Sequence, residues 1–353
     1  MEKKKLTVAM SGGIDSAVAA LLALREGYEV EGATMLLCEK KAADGTDLGE
    51  RDVKDARAVC DRIGIPHRVY DMRKRFHETV IRDFIDVYLD GGTPNPCIVC
   101  NKHLKFGAFL DEEIARGADL VATGHYARIE TRKDGRVLLK KAADAAKDQS
   151  YMLWSLTQEQ LKRVCFPLGE LTKPEIRKIG EECGFSIAHK SDSQDICFVP
   201  DGDYAAFIEK ELGYAYPAGD YVDEDGKFLG KHKGVIHYTI GQRKGLGISM
   251  GRHIFVTKKD AKSNTVTLAD EDRLFTDTVR LRGINLIPFD VIEGRIRVKA
   301  KIRYRHEESD AYAEQTGSDE ITLTFDRPQR APAKGQSAVL YDGDYVVGGG
   351  IIQ

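Results

Sequence analysis

Three cysteines occupy positions where a thiol could react. Cys97 and Cys100 form a C-x₂-C pair in a Pro-rich segment that leads into a predicted helix, and Cys197 lies near residue 200. A helix N-terminus lowers the pKa of a thiol and exposes it, so Cys97 and Cys100 are candidate nucleophiles, and Cys197 is a third candidate at the end of the predicted α/β domain. Zinc binding would need a second close pair of ligands, which the sequence lacks, while a thioredoxin-like redox pair is an alternative.

A glycine loop provides a second candidate site. Residues 11–16, Ser-Gly-Gly-Ile-Asp-Ser, follow a predicted buried strand and open a predicted helix. The glycines let backbone N–H groups approach an anion, and the helix N-terminus adds the positive end of its dipole. Ser11 and Ser16 can donate to phosphate oxygens and Asp15 can hold Mg²⁺, whereas the lysine of a Walker loop is missing. The loop predicts a phosphate site; the alternative is a simple capped turn.

Two cationic stretches occur in a chain whose formal net charge is −3. The stretch from 231 to 258 contains no Asp or Glu, and its cations are Lys231, Lys233, Arg243, Lys244, Arg252 and Lys258. Residues 295–305 alternate between cationic and uncharged side chains. As a single strand they would place these on one face: Arg295, Arg297, Lys299, Lys301, Arg303 and Arg305. Such faces suit nucleic-acid phosphates, although an edge strand that resists aggregation gives the same pattern.

The periodicity of the chain predicts the elements that position these residues. As far as residue 190, buried strands alternate with amphipathic helices, which is typical of a doubly wound parallel sheet. The predicted strands there are residues 6–10, 28–37 and 120–123, and a capping box at 172–175 starts a later helix. After a helix at 204–212 the pattern has period two and predicts a β-rich half. Its strands are residues 235–240, 253–257, 265–268, 295–305, 321–325 and 345–352.

Composition excludes several classes of protein. The chain has 353 residues, with 53 Lys and Arg against 56 Asp and Glu, which argues against a polycation that binds nucleic acid by net charge alone. Its longest apolar run, residues 17–24, is far shorter than a membrane span requires. Seven cysteines, an odd number, do not predict a disulfide scaffold. We expect a cytoplasmic protein of two or three domains, with no secretory leader and no membrane partner.

The motif SGGxDS at residues 11–16 resembles the signature of the PP-loop ATP pyrophosphatases, which adenylate a substrate oxygen and release pyrophosphate. With its other motifs, nearly the whole chain resembles the tRNA-specific 2-thiouridylase family. These motifs are TPNPCIVCNKHLKFG (93–107), ATGHYAR (122–128), KDQSYML (147–153), SDSQDICF (191–198) and GQRKGLGI (241–248). The resemblance implies an α/β PP-loop domain with a doubly wound parallel sheet at 1–200, a small central β-rich domain at 201–275 and an all-β C-terminal barrel at 276–353.

The resemblance also implies roles for individual residues. Those that would hold ATP are Ala9, Met10, Ser11, Gly12, Gly13, Ile14, Asp15, Ser16, Met35 and Gly124. Those that would contact the tRNA are Asn95, Pro96, Cys97, His125, Lys147, Asp148, Gln149, Arg303, Tyr304 and Gln336. Cys100 matches the nucleophile of the family, and Cys197 matches its persulfide-bearing cysteine.

Cys97 departs from the familiar pattern of the family, which has Asp at this position. Three thiolates, those of Cys97, Cys100 and Cys197, are enough to hold a [4Fe–4S] cluster with one iron open to bind sulfide. The spacing does not separate this route from a persulfide on Cys197. In a third interpretation, Cys97 is only a spectator or resolving thiol.

The implied reaction replaces O2 of the wobble uridine (position 34) in Lys, Glu and Gln tRNAs by sulfur, consuming Mg-ATP and releasing AMP and pyrophosphate. A cysteine desulfurase or a sulfur-relay protein would supply the sulfur. One alternative is another PP-loop enzyme that amidates or ligates a small molecule, whose ATP turnover would follow a small acceptor. The other is a non-catalytic RNA-binding protein, which would bind tRNA without consuming ATP.

Overall fold

The structure is a computed structural model that describes residues 3–39, 47–187 and 196–353. Residues 191–195 of the SDSQDICF motif lie outside these ranges, whereas Cys197 lies within them. The chain forms two compact units. Unit 1 comprises Met1–Val80, Cys97–Phe198 and Asp344–Val346; unit 2 comprises Ile81–Pro96, Val199–Gly343 and Val347–Gln353. The division at residues 200 and 275 into three domains stays a prediction.

Helices and strands are numbered in chain order. The α-helices α1–α9 are Ile14–Arg25, Leu48–Ile63, Arg73–Phe76, Arg82–Leu89, Pro96–Cys100, Phe109–Ala115, Gln158–Leu161, Lys173–Glu182 and Tyr204–Leu212. The strands β1–β17 are Lys5–Ala9, Glu29–Leu36, His67–Asp71, Leu120–Thr123, Arg128–Thr131, Val137–Lys140, Val164–Cys165, Gly219–Val222, Phe228–His232, Phe255–Asp260, Thr265–Ala269, Phe275–Leu286, Arg295–Lys301, Ser309–Gly317, Glu320–Arg330, Ser337–Asp342 and Tyr345–Ile352. Between them lie π-helical stretches, His77–Ile81 and Asn101–Ala108, and 3₁₀ turns, Ser150–Leu153, Val235–His237 and Glu271–Leu274.

Unit 1 contains a parallel sheet with strand order β3-β2-β1-β4-β7. Strand β1 is central, and its last residue, Ala9, pairs with Ala33 of β2 and Thr123 of β4. Four of the five residues of β1 are buried, as expected for a strand with both faces covered. The prediction of a doubly wound α/β domain is confirmed. Because the strands are parallel, the segments after β1, β2 and β4 emerge at one edge of the sheet.

Unit 2 contains two β structures. One is a four-stranded sheet of order β10-β11-β8-β9. The other is an antiparallel barrel in which β12-β15-β14-β13-β16-β17 is closed by pairing of β17 with β12, for example Ile352 with Leu281. Alternate residues of each strand fill its core; in β15 these are Ile321, Leu323 and Phe325. The predicted β-rich half ending in a barrel is confirmed.

Two predicted strands differ from the structure. Residues 235–240 begin with the 3₁₀ turn Val235–His237, because the N–H of His237 bonds to the carbonyl of Gly234 at 3.1 Å. Strand β13 ends at Lys301 rather than Arg305, and a turn follows in which the N–H of His306 donates to the carbonyl of Arg303 at 3.1 Å. The prediction that six cations share one strand face is therefore wrong for Arg303 and Arg305.

Within the described ranges, no helix is both long enough and apolar enough to cross a membrane.

Candidate functional site

The glycine loop connects β1 to α1, as predicted. Gly13 is the N-cap of α1 in extended conformation, and no side chain caps this helix end. Gly12 has φ +69°, a left-handed conformation, and a Cβ there would lie 2.6 Å from the carbonyl oxygen of Asp52. Glycine is therefore required at this position both for its backbone and for its lack of a side chain. The first N–H groups of α1 remain available to an anion.

The two serines of the loop bond to each other and shape it. The Ser11 N–H donates to Ser16 Oγ at 3.1 Å, and the two hydroxyl oxygens lie 3.3 Å apart. Ser16 Oγ donates to the Gly13 carbonyl at 3.0 Å and is buried. Ser11 is exposed. Ser16 thus stabilises the loop from the buried side, and the exposed Ser11 hydroxyl is the one that a phosphate can reach.

Gly124 forms the opposite wall of the loop. It follows β4, and a Cβ built there would lie 2.8 Å from the Ser16 nitrogen and 3.0 Å from the Asp15 Cβ. A side chain would therefore fill the space at the start of α1. Met35, near the end of β2, lies at the same edge of the parallel sheet, where Met10 and Ser11 leave β1. The structure thus gathers the predicted nucleotide residues, residues 9–16, Met35 and Gly124, at one edge, and their cradle fits a nucleotide phosphate.

Asp15 is held by two residues that the sequence analysis did not assign to the site. Lys173 Nζ lies 2.8 Å and 2.9 Å from the two carboxylate oxygens, and the Tyr126 hydroxyl donates to Oδ1 at 2.7 Å. The lysine is 7% exposed and the aspartate 30%. An ammonium in direct contact neutralises the charge that would attract a metal ion, so the carboxylate as arranged does not fit the predicted Mg²⁺ role. Lys173 occurred in the predicted capping box, but its spacing gave no sign of Asp15.

The C-x₂-C pair lies on α5, which begins at Pro96 and continues into the π-helical stretch Asn101–Ala108. Cys97 is exposed, whereas Cys100 is 7% exposed. Burial raises the pKa of Cys100 to about 12; Lys105 lowers it in part, and the charges of Cys197 and Cys97 raise it. The prediction that the helix N-terminus yields an exposed thiolate is wrong for Cys100, because desolvation outweighs the helix dipole.

Cys197 is exposed near the end of unit 1. Its charge influences the Cys100 thiol, so the two groups belong to one electrostatic environment. Among residues 3–39, 47–187 and 196–353, however, no three His, Cys, Asp or Glu side chains are arranged to hold a metal ion. As placed here, Cys97, Cys100 and Cys197 do not fit a [4Fe–4S] ligand set.

His125 lies one residue beyond Gly124. Its Nδ1 lies 2.7 Å from the Thr123 hydroxyl, and its ring packs against Phe106 and Phe166 at centroid distances of 5.8 and 6.2 Å. Burial, and secondarily the Lys105 charge, hold the pKa of His125 well below its usual value. The ring is therefore neutral at physiological pH and suits contact with a base or hydroxyl rather than with phosphate charge.

The predicted tRNA-contacting segment 147–149 forms a turn beside Tyr126. The Asp148 carboxylate accepts from the backbone N–H groups of Ala142 and Ser150 and from the Ser150 hydroxyl, at 2.8 to 3.2 Å. Gln149 Oε1 accepts from the Tyr126 N–H at 3.1 Å. Both side chains thus support the turn, while Lys147 is half-buried. That the segment contacts tRNA stays a prediction.

The other predicted tRNA contacts lie in unit 2. Asn95 is half-buried, and Pro96 is the first residue of α5. Gln336 Nε2 donates to the carbonyls of Thr93 and Pro94, each at 3.0 Å. The Arg303 guanidinium donates to the Ala331 carbonyl, and the neighbouring Tyr304 is half-buried in the turn after β13.

Sequence comparison identifies the family. The profile "tRNA methyl transferase HUP domain" matches residues 4–201, "tRNA methyl transferase PRC-barrel domain" matches 205–270, and "Aminomethyltransferase beta-barrel domain" matches 276–352. The tRNA-specific 2-thiouridylase MnmA of Acetivibrio thermocellus is 48% identical over 360 residues, covering 100% of both chains. The chain belongs to the tRNA-specific 2-thiouridylase family.

Further 2-thiouridylases agree with this assignment. The enzyme of Clostridioides difficile is 48% identical over 99% of this chain and 98% of its own, and that of Treponema denticola is 46% identical over the same shares. The likeness therefore extends through both units, including the cradle and the cysteine-bearing helix, rather than through the nucleotide-binding part alone.

Proposed function

We propose that the protein is a tRNA 2-thiouridylase that adenylates O2 of wobble uridine 34 and inserts sulfur at C2, giving 2-thiouridine, AMP and pyrophosphate. The observation that carries this proposal is that one compact unit contains both the phosphate cradle and three cysteines. The cradle supplies activation by ATP, and the cysteines supply sulfur. Membership of the 2-thiouridylase family over the full length of the chain supports this combination of ATP activation and sulfur supply.

The first step activates a poor leaving group. O2 of the uridine attacks the α-phosphorus of ATP, the bond to the β-phosphate oxygen breaks, and pyrophosphate leaves. The free N–H groups at the start of α1, with the Ser11 hydroxyl, would bind the phosphate oxygens. Lys173 neutralises Asp15, so the cradle meets the triphosphate without an unpaired carboxylate.

The second step transfers sulfur. An external donor would leave a persulfide on Cys197, whose exposure suits delivery by another protein. The terminal sulfur attacks C2, and AMP departs with the oxygen. The Cys100 thiolate then attacks Cys197 Sγ and breaks the S–S bond, which leaves sulfur on the uridine and a Cys100–Cys197 disulfide. An external thiol reduces that disulfide by two electrons. We propose a cysteine desulfurase or relay protein as the donor.

The remaining assignments are proposed on chemical grounds. Mg²⁺ would enter with ATP and neutralise its phosphates. The tRNA substrates would be the Lys, Glu and Gln isoacceptors, and the reaction would take place in the cytoplasm, where thiols are kept reduced. Because the three cysteines do not fit a cluster as placed here, the mechanism uses their thiols. Iron and acid-labile sulfide analysis of anaerobically purified protein tests the [4Fe–4S] route directly.

The decisive experiment is nucleoside mass spectrometry of unmodified Lys tRNA after anaerobic incubation with the protein, Mg-ATP and a persulfide source (a cysteine desulfurase with cysteine). We expect 2-thiouridine at the wobble position only when ATP is present, with AMP released in the same reaction. Cys197→Ala abolishes the product, whereas the matched control Cys183→Ala, a half-buried thiol near Arg25, retains it. Full activity of Cys197→Ala would refute the persulfide mechanism.

The same assay separates the alternative functions. A small-molecule synthetase would release AMP only when a small acceptor is added, irrespective of tRNA. A non-catalytic RNA-binding protein would bind the tRNA and release no AMP. Either outcome would overturn the proposed function.

A further inference from the structure

The loop that leads into the cysteine-bearing helix does not supply hydrogen-bond donors for all of its own backbone carbonyls. Helix α4 ends at Leu89, and the chain passes through Gly91, Gly92, Thr93, Pro94 and Asn95 before α5 begins at Pro96. Two prolines within three residues remove two N–H donors, so the segment cannot form a regular hydrogen-bonded turn. The carbonyls of Gly92, Thr93 and Pro94, here called the 92–94 carbonyls, therefore need donors from elsewhere in unit 2.

Lys259 on β10 supplies the first of these donors. Its Nζ donates to the Gly92 carbonyl at 3.1 Å and to the Tyr238 carbonyl at 2.9 Å, and it lies 5.9 Å from the centre of the Tyr88 ring. Burial lowers the pKa of Lys259 to about 8, which shows that the ammonium is kept there at an energetic cost. Charge-assisted hydrogen bonds to the carbonyls offset that cost.

Gln336 supplies the others. A glutamine amide has two N–H donors, and Gln336 Nε2 lies 3.0 Å from both the Thr93 and the Pro94 carbonyl oxygens. Its backbone is anchored in turn, because its carbonyl accepts from the N–H of Ile352 in β17 at 2.8 Å. The Thr93 N–H donates to the Lys334 carbonyl at 2.7 Å. Two side chains thus bind three successive carbonyls.

We propose that Lys259 and Gln336 are positioning residues that hold the 92–94 carbonyls and thereby set the placement of Asn95 and the start of α5 for the thiolation reaction. This inference rests on the proposed function. It gives Gln336 a different role from the tRNA contact implied by resemblance, because its amide donors already face the loop. It also assigns a role to Lys259, for which the sequence offered no motif.

The test combines amide exchange with kinetics on the full chain. Lys259→Met and Gln336→Met keep the length and volume of the side chains but remove the donors. We expect exchange in peptides covering residues 90–96 to become about tenfold faster in each variant, with peptides from the barrel core unchanged. We expect kcat for thiolation to fall about tenfold in each, while KM for ATP is unchanged. Lys262→Met, at an exposed lysine after β10, is the matched control and should behave as the unaltered protein.

The outcomes separate this inference from the proposed function. If the unaltered protein fails to thiolate tRNA, the proposed function is wrong, while the exchange measurement still reports on the loop. If it thiolates tRNA and both variants keep its kcat, or exchange at 90–96 is unchanged, the positioning role is wrong. Faster exchange throughout the barrel in both variants would make these residues general structural contacts and would also overturn the inference. Recovery of kcat in Lys259→Arg, which restores donors, would support it.

Discussion

Lys173 on α8 connects this helix to the nucleotide cradle through an ion pair with the Asp15 carboxylate. Its ammonium contacts both oxygens of Asp15 from a nearly buried position. Without it, Asp15 would present a negative charge to the incoming triphosphate. The pair therefore acts on ATP binding, although neither residue is assigned here to the chemical step.

We predict that Lys173→Met raises KM for ATP about tenfold, the effect expected from losing a charged hydrogen-bond partner. AMP release measured against ATP concentration, with tRNA saturating, provides the value. Lys178→Met is the matched control, because Lys178 is exposed on the same helix and pairs only at 3.9 Å with Glu182. An unchanged KM for ATP in Lys173→Met would contradict this account.

The thiols differ in reactivity at the residue scale as well. Because burial raises the pKa of Cys100 to about 12, its thiolate fraction at pH 7 is minute and grows about tenfold per pH unit up to that value. Cys97 and Cys197 are exposed. Cys100 therefore needs substrate binding, or a proton acceptor brought by it, before it can attack.

We predict that iodoacetamide modifies Cys97 and Cys197 before Cys100, and that the Cys100 rate rises about tenfold for each pH unit between 7 and 9. Peptide mass spectrometry at timed intervals measures all three rates in one sample. Cys60, whose pKa burial also raises to about 12, is an internal reference for a slow thiol. Modification of Cys100 as fast as Cys97 at pH 7 would contradict the prediction.

At the scale of elements, the cradle depends on how closely the end of β4 approaches the start of α1. Gly124 permits this approach, since its Cβ would meet the Ser16 nitrogen at 2.8 Å and the Asp15 carbonyl carbon at 2.9 Å. Both are backbone atoms of a helix, which cannot shift as a side chain can. A methyl group at this position must therefore displace α1 or occupy the phosphate site.

We predict that Gly124→Ala weakens ATP binding at least tenfold, as expected when a close contact is misplaced at a binding site. Isothermal titration with a non-hydrolysable ATP analogue measures the affinity, and circular dichroism checks that the fold is retained. Gly230→Ala is the control, because a Cβ there meets only the end of the Ile248 side chain at 3.4 Å. Equal affinities in the two variants would remove Gly124 from the cradle.

Helices whose start is marked by local sequence signals, such as a capping box, were predicted well. The capping box at 172–175 correctly predicts the start of α8, and the predicted helix 204–212 matches α9. The hairpin of β5 and β6 was missed, although Asp134 and Gly135 form its turn, because its strands are only four residues each. Strand β13 was predicted too long, since periodicity continues into a turn that is fixed by tertiary contacts of Arg303.

The candidate site likewise contains features that local sequence predicts and features that only tertiary contacts determine. Residues 11–16 carry a backbone geometry that follows directly from their glycines and could be predicted from the sequence. Lys173 could not be predicted as a partner of Asp15, because 158 residues separate the two in the chain and only the fold joins them. The buried state of Cys100 was missed for a similar reason: helix position suggests exposure, while the packing around it decides the pKa.

At the scale of the whole molecule, cations in the sequence differ in how much charge they can offer to RNA. Arg297 lies 2.5 Å from Asp326 and 3.7 Å from Asp310, so its charge on β13 is largely neutralised by these carboxylates. Arg243 and Lys244 are exposed, and within the described residues neither has an acidic group within 4.0 Å. The loop after the 3₁₀ turn Val235–His237 is therefore a stronger candidate for phosphate contacts than Arg297.

We predict that Arg243→Ala weakens tRNA binding and reduces the slope of log affinity against log salt by about one, whereas Arg297→Ala changes the slope little. Fluorescence anisotropy with labelled unmodified tRNA over a salt series measures both slopes. The two variants serve as each other's control, since each removes one arginine. A larger loss of slope in Arg297→Ala would restore the barrel strand as the RNA-binding face.

The placement of Ile81–Pro96 in unit 2 has a consequence for the design of fragments and chimeras of enzymes in this family. Sequence profiles divide the chain after residue 201. The backbone of Gly92, Thr93 and Pro94, however, is hydrogen-bonded to Lys259, Lys334 and Gln336. A fragment ending at residue 201 would keep Cys97, Cys100 and Cys197 but lose all of these hydrogen-bond partners. A chimera that exchanges the C-terminal part between relatives inherits the cysteines from one parent and the anchors of the preceding loop from the other. The borders of the sequence profiles therefore differ from those of the compact units, and we expect such an exchange to succeed only if residues 81–96 are exchanged together with the rest of unit 2.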